Sequence, residues 1–247
     1  MIRKGYNMLY VWILITVSFC LKLSAQVAIK EVKNISHQQW DSLLEQYVDQ
    51  QGNVNYKAFK KDEDALNDYL EHLQRHEPGN DWNRTEILAY YINLYNAATV
   101  QLILQNYPVS SIRDIKQPWG RKWIQVGEKA LSLNQIEHKI LRKMGEPRIH
   151  FALNCASASC PKLLNTAFKA ATLEEQLDKV TREFINDPNK NEIAPERIAL
   201  SALFKWYKKD FTSQGSLLNY ISQYSDESFL ANAKVDYLKY DWSLNEQ

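Results

Sequence analysis

Cys155 opens the run Cys155-Ala156-Ser157-Ala158-Ser159-Cys160-Pro161, a thiol followed by small side chains and hydroxyls. Small residues let a substrate approach the backbone. If a helical turn starts at Cys155, its free N–H groups would lower the thiol pKa and hold an oxyanion, which is the chemistry of a cysteine nucleophile. The other reading of Cys155 and Cys160 is structural: a local disulfide, or a pair of buried thiols.

A nucleophilic thiol needs a base. Of the five histidines, His37, His72 and His76 sit in polar stretches and read as solvated surface. His150 is close to Cys155 in sequence, but in an extended run a separation of five puts the two side chains on opposite faces. A bend at Asn154 would bring them together. His138 fits better on a helix spanning 133–144. There Leu133, Ile136, Ile140 and Met144 mark a buried stripe, Glu137 falls inside it and His138 lies at its polar edge. A buried Glu needs a partner, so Glu137 beside His138 reads either as an orienting group for a base or as a structural carboxylate beside an idle ring. Asn93 and Asn96 share a face of an apolar helix. As buried amides they must be hydrogen-bonded, either to orient His138 or a substrate amide, or to pin neighbouring loops. Cys155, Cys160, His138 and His150 would also supply a zinc-like ligand set, but their spacing matches no familiar pattern. No metal and no cofactor is expected. The aromatic residues are spaced as core packing rather than as a sugar-binding platform.

The elements that must position these groups follow from periodicity. Helices are expected over 37–50 and 57–76, with a short strand at Val54-Asn55-Tyr56 between them. A helix capped by Asn83 and Glu86 should run to Tyr107-Pro108, buried on nearly every face. A hairpin turns at Gly127-Glu128, and Arg148 to Asn154 reads as a buried extended run. Thr172 and Glu175 cap a helix to about Asn186, and a second hairpin turns at Pro195-Glu196. Short helices follow (202–211, 215–224, 226–233), then a closing extended segment, Tyr237 to Trp242. Helices dominate and the strands pair locally and antiparallel, which makes the class α+β, a mostly helical single domain around a central buried helix.

Residues 1–25 carry Arg3 and Lys4, an apolar run from Met8 to Leu21, and Leu23-Ser24-Ala25 before Gln26. That is the pattern of a signal peptide. The rest, 26–247, is expected to be one domain, exported to a periplasm or beyond, and free of the membrane once the leader is cleaved. Removing the leader takes away three basic residues and no acid, leaving 27 basic against 29 acidic residues, or −2. A near-neutral chain without a basic block gives no electrostatic case for nucleic acid. Only 7 Gly and 7 Pro among 45% apolar residues exclude disordered and collagen-like classes. The expected partner is a small-molecule or peptide substrate.

Five stretches together resemble one family: Tyr91-Ile92-Asn93-Leu94-Tyr95-Asn96-Ala97; Leu131-Ser132-Leu133 running into Ile136-Glu137-His138; Arg148-Ile149-His150-Phe151-Ala152-Leu153-Asn154-Cys155; Ser159-Cys160-Pro161; and Tyr240-Asp241-Trp242-Ser243-Leu244-Asn245. The order and content are similar to the family called domain of unknown function 547, over about residues 85–245. That family occurs in bacterial exported proteins and in plant and animal chains, and the resemblance implies no agreed reaction. It falls on Asn93, Asn96, Glu137, His138, His150, Cys155, Ser157, Ser159 and Cys160. A further likeness, of geometry only, is to papain-like and transglutaminase-like thiol enzymes, which pair a Cys with a His and an orienting Asn, Asp or Glu. Those enzymes usually place the Cys before the His, the reverse of His138 and Cys155. The expectation is therefore a thiol-dependent acyl-transfer enzyme built on Cys155, His138, Glu137 and His150. Asn93, Asn96, Ser157, Ser159 and Cys160 would bind or orient. The alternative is a binding module or thiol-redox protein with a Cys155–Cys160 disulfide.

Overall fold

The computed structural model describes residues 35–247. The segment 1–25, expected from the sequence to be a signal peptide, lies outside the described residues. Helix α1 (Gln38–Tyr47) packs its apolar side on helix α2 (Glu63–Arg75), which packs in turn on helix α3 (Arg84–Asn106). Trp40 of α1 stacks on Tyr69 of α2 at 5.8 Å between ring centroids. Between them, Tyr56–Phe59 is helical, not a strand. Val54 makes only single bridges, to Val48 and Glu246. Asn55 accounts for the change, since its side chain accepts from the Ala58 amide and starts a helical turn.

Helix α3 is the buried centre. Asn83 and Glu86 form the reciprocal capping box, and the helix ends before Tyr107-Pro108. Its apolar positions from Leu88 to Leu104 have almost no exposed surface. By length and composition it would be apolar enough to cross a membrane, but its surface is covered by the rest of the fold. Lys60 donates to the Leu104 carbonyl at 2.8 Å, placing a cation against the negative end of the helix.

The sheets are small. Strands β1 (Ile124–Val126) and β2 (Lys129–Leu131) make the expected hairpin, with Gly127 at φ 55 in its turn. Strands β3 (Glu192–Ile193) and β4 (Arg197–Leu200) make the second. A correction comes at β5 (Lys234–Tyr237), which pairs parallel with β4, Ile198 opposite Val235. The strands are therefore not all local and antiparallel. The described residues form a mostly helical α+β fold with a buried central helix and sheets of two and three strands.

Two further corrections bear on the site. The segment 133–144 is not one α-helix. Three α-helical residues (Leu133–Gln135) widen into an i→i+5 turn over Ile136–Ile140 and tighten again over Leu141–Met144. The segment Pro147–Phe151 is a 3-10 helix, not an extended run. Pro147 preorganises its first turn and the Glu146 carboxylate caps the Arg148 amide. Helix α4 (Leu173–Ile185) follows as expected, although Thr172 gives it no side-chain cap. The stretch 226–233 is not helical.

Candidate active site

The Cys155 turn is fixed from three sides. Asn96 of α3 donates to the Ala152 carbonyl and accepts from the Asn154 amide, each at 2.9 Å. Asn154 in turn accepts from the Ala156 amide and donates to the Pro161 carbonyl, each at 2.8 Å. The C-terminal stretch supplies the third side: Ser243 and Asp241 carbonyls accept from the amides of Ala158 and Ser159. Between these supports the buried Ala156 is held at φ 57, a left-handed conformation that strains a residue with a Cβ. Such strain, of order 1–3 kcal/mol, persists only where the surroundings over-determine the backbone. Asn93 pins a different loop, accepting from the Phe168 amide and donating to its carbonyl. Both ends of each α3 amide are thus taken by backbone.

No helix starts at Cys155. Three of the four amides from Ala156 to Ser159 donate within the protein. The helical-turn oxyanion site expected there is therefore absent. The thiol meets side chains instead. Cys155 Sγ lies 3.3 Å from both Ser157 Oγ and Tyr240 Oη, and the Cys155 amide donates to Cys160 Sγ at 2.8 Å. Both cysteines are free thiols. The Cys160 thiol is the largest influence holding the Cys155 pKa below the ordinary thiol value. Ser157 and Tyr240 add to it, against burial and the nearby Glu137 charge. Burial pushes Cys160 well up. Cys155 is thus the more acidic thiol of the pair and Cys160 the less acidic.

Cys155 opens onto a cavity of about 340 Å³, lined also by Cys160, Glu137, His138 and His150. The two rings hold different states. Arg142 Nη1 lies 3.1 Å from His138 Nδ1. Since a guanidinium only donates, Nδ1 accepts and the proton of His138 sits on Nε2. His150 places Nε2 2.8 Å from Asp210 Oδ2, so this nitrogen donates to the carboxylate and Nδ1 carries the lone pair. His150 is stacked on Tyr207 at 3.8 Å between centroids. Burial lowers its pKa, with Asp210 opposing. Asp210 is held well below the usual carboxylate range by His150 and by Arg142, which grips it through Nε at 2.7 Å and Nη2 at 2.9 Å. Glu137 is buried as expected. Its Oε2 accepts from Tyr95 at 3.4 Å, and its Oε1 lies 3.7 Å from His138 Nδ1.

The predicted residues are therefore distributed in two shells. Cys155, Ser157 and Cys160 touch one another, and Glu137, His138 and His150 line the same cavity. Ser159 turns away to accept from the Asp241 amide. Among the described residues, no three of His, Cys, Asp and Glu converge as a metal would need. Sequence reasoning missed Tyr207, Arg142 and Asp210, and gave no role to Tyr240 although it opens the last of the resembling motifs. Of the missed three, Arg142 alone left a local signal, four residues after His138 on the same helical face.

Residues 80–185 match the family described as "Protein of unknown function, DUF547". The chain carries a DUF547 domain. This span includes α3, the Glu137-His138 segment, His150 and the Cys155–Cys160 turn, which lie where the sequence resemblance placed them. The Tyr240–Asn245 motif lies beyond the matched span, although Tyr240 touches the DUF547 thiol. No curated protein and no solved structure matches the chain.

Proposed function

We propose that the protein is an exported thiol-dependent acyl-transfer enzyme, a hydrolase or transferase acting on an amide or thioester. The observation that carries this is the acidic Cys155 thiol, facing a cavity with a carboxylate-oriented imidazole in its wall. The Cys155 thiolate adds to the substrate carbonyl carbon, and the carbonyl electron pair moves to oxygen. His138, whose Nε2 carries a proton, donates to that oxygen. The base's role thus moves from His138 to His150, with Asp210 as the orienting group. His150 Nδ1 takes the thiol proton and delivers it to the departing amine or thiol as the bond to carbon breaks. Water or a second nucleophile then gives its proton to His150, attacks the acyl-thioester and frees the thiolate.

The test uses p-nitrophenyl acetate. The native chain should release a burst of one nitrophenolate equivalent and carry an acetyl group on Cys155 by peptide mass spectrometry. Cys155→Ser should lose the burst. An acetyl group found only on lysines, or a burst unchanged in Cys155→Ser, sinks the reading.

A second reading rests on Cys160 lying against Cys155. As a dithiol pair, Cys155 attacks an exogenous disulfide and Cys160 resolves the mixed disulfide. Two electrons and two protons leave the pair and produce two thiols from the oxidant. Mass measured after equilibration in glutathione buffers separates the two. A pair that oxidises and reduces reversibly supports the dithiol reading, and thiols that stay free throughout exclude it.

A further inference from the structure

The wall of the Cys155 cavity is unusual in composition. Six aromatic side chains line it: Tyr95, Trp119, Trp206, Tyr207, Tyr240 and Trp242. Four of them form a continuous wall, with Trp206–Tyr240 at 4.7 Å, Tyr240–Trp242 at 4.6 Å and Trp119–Trp242 at 5.7 Å between centroids. Packing alone does not explain Trp206, which is 49% exposed in a fold that covers nearly all its other large apolar side chains.

The charges in the same wall are one-sided. Glu137 is its carboxylate, and neither Lys nor Arg lines the cavity. Arg142, the nearest guanidinium described above, is gripped by Asp210 through two hydrogen bonds and gives its remaining nitrogen to His138. His138 Nδ1 is an acceptor, and 3.7 Å is too far for a hydrogen bond to Glu137. Glu137 is otherwise met by the neutral hydroxyls of Tyr95 and Tyr207. When Cys155 ionises, a second negative charge enters the same space. Arg142 feels the Glu137 charge from behind the wall, but no cation is hydrogen-bonded to the carboxylate or lines the cavity; aromatic faces beside such a carboxylate attract an organic cation, by the ring quadrupole and by Coulomb attraction across a poorly solvated gap. Trp242 already holds a cation, the Arg113 guanidinium, 5.5 Å from its ring centroid. A volume of about 340 Å³ suits a small ligand or one residue of a larger one.

We infer that the aromatic wall and Glu137 form a subsite for an organic ammonium group, so that the substrate of Cys155 carries a protonated or quaternary amine near its reacting carbonyl. The inference rests on the reading of this cavity as the substrate site. It makes Glu137 a specificity residue: the carboxylate selects charge, and Trp206 and Trp242 select shape.

Choline and its uncharged isostere 3,3-dimethylbutanol are the probes, titrated calorimetrically into the native chain and into Cys155→Ala. Choline should bind at least about tenfold more tightly, since one desolvated cation–π and Coulomb contact is worth that factor. Glu137→Gln, which keeps the shape, should erase the preference while leaving dimethylbutanol binding in place. Trp206→Ala, at a half-exposed position that the fold tolerates, should weaken choline. Equal affinities for the two probes, or a preference that survives Glu137→Gln, overturns the inference. Binding requires no chemistry, so a positive result without acetylation of Cys155 would fault the acyl-transfer reading and leave the subsite standing.

Discussion

His37 and His150 are both buried rings, each with one nitrogen in a hydrogen bond and each packed against aromatic residues. Their partners differ. His37 Nδ1 lies 2.7 Å from the neutral Tyr69 hydroxyl, and burial lowers its pKa to about 4. His150 also suffers burial, but an ionised Asp210 opposes it. The first ring is a packing group that must stay neutral. The second can accept a proton, because the countercharge is already in place and oriented. Burial alone therefore does not tell a working histidine from a structural one; what sits on the other nitrogen does.

Asp210→Asn tests that contrast most severely. The amide keeps the shape and removes the countercharge, so deacylation of the p-nitrophenyl acetate adduct should slow on the order of 10³–10⁴-fold. His37→Gln should leave that rate unchanged. A small loss in Asp210→Asn would remove His150 from the proposed chemistry.

The next effect is on stability. An unfolded His37 takes up a proton below about pH 6.5, whereas the folded one does so only near pH 4. The unfolded state thus binds more protons in this window, and stability contributed by the neutral ring is lost as pH falls from about 6.5 to about 4. The loss is roughly 3 kcal/mol and levels off below the lower value. Urea denaturation at pH 7 and pH 4 measures it. The pH-dependent drop should shrink by about this amount in His37→Gln, and an unchanged drop would show that His37 is not held neutral.

The smallest effect concerns the thiol. Iodoacetamide should alkylate Cys155 with an apparent pKa below that of an ordinary free thiol. Tyr240→Phe removes a donor to the thiolate, so the pKa should rise and alkylation at pH 7 should slow roughly tenfold. Cys160→Ala should shift it in the same direction, since Cys160 is the larger influence. A rate unaltered by either change would mean that these donors do not tune the sulfur.

How much of this the sequence discloses depends on the range of the interactions. Helix α3 is legible because its cap, its apolar run and its stop at Tyr107-Pro108 are all local. The burial of Glu137 was also legible, from a stripe whose neighbours lie within one turn. The widened turn over Ile136–Ile140 was not, because a fixed 100° per residue cannot register an i→i+5 bond. The 3-10 turn at Pro147 was hidden by the apolar Ile149 and Phe151, which alternate like a strand. Glu146-Pro147 was the signal that should have prevailed. His37 was read as surface from its polar neighbours, whereas Tyr69, 32 residues away, buries it. The parallel β4–β5 pairing and the partners Asp210 and Tyr240 join segments dozens of residues apart, for which no local pattern exists.

Tyr240 follows Cys155 by 85 residues. A ribosome therefore exposes the sulfur long before it releases the hydroxyl that sharpens it, together with the Asp241 and Ser243 carbonyls that brace its turn. The nascent chain carries the Cys155 thiol without the Tyr240 share of its lowered pKa until the last stretch folds back. A protease that clips that stretch would weaken the proposed nucleophile without touching α3, whose Asn96 holds the other side of its turn.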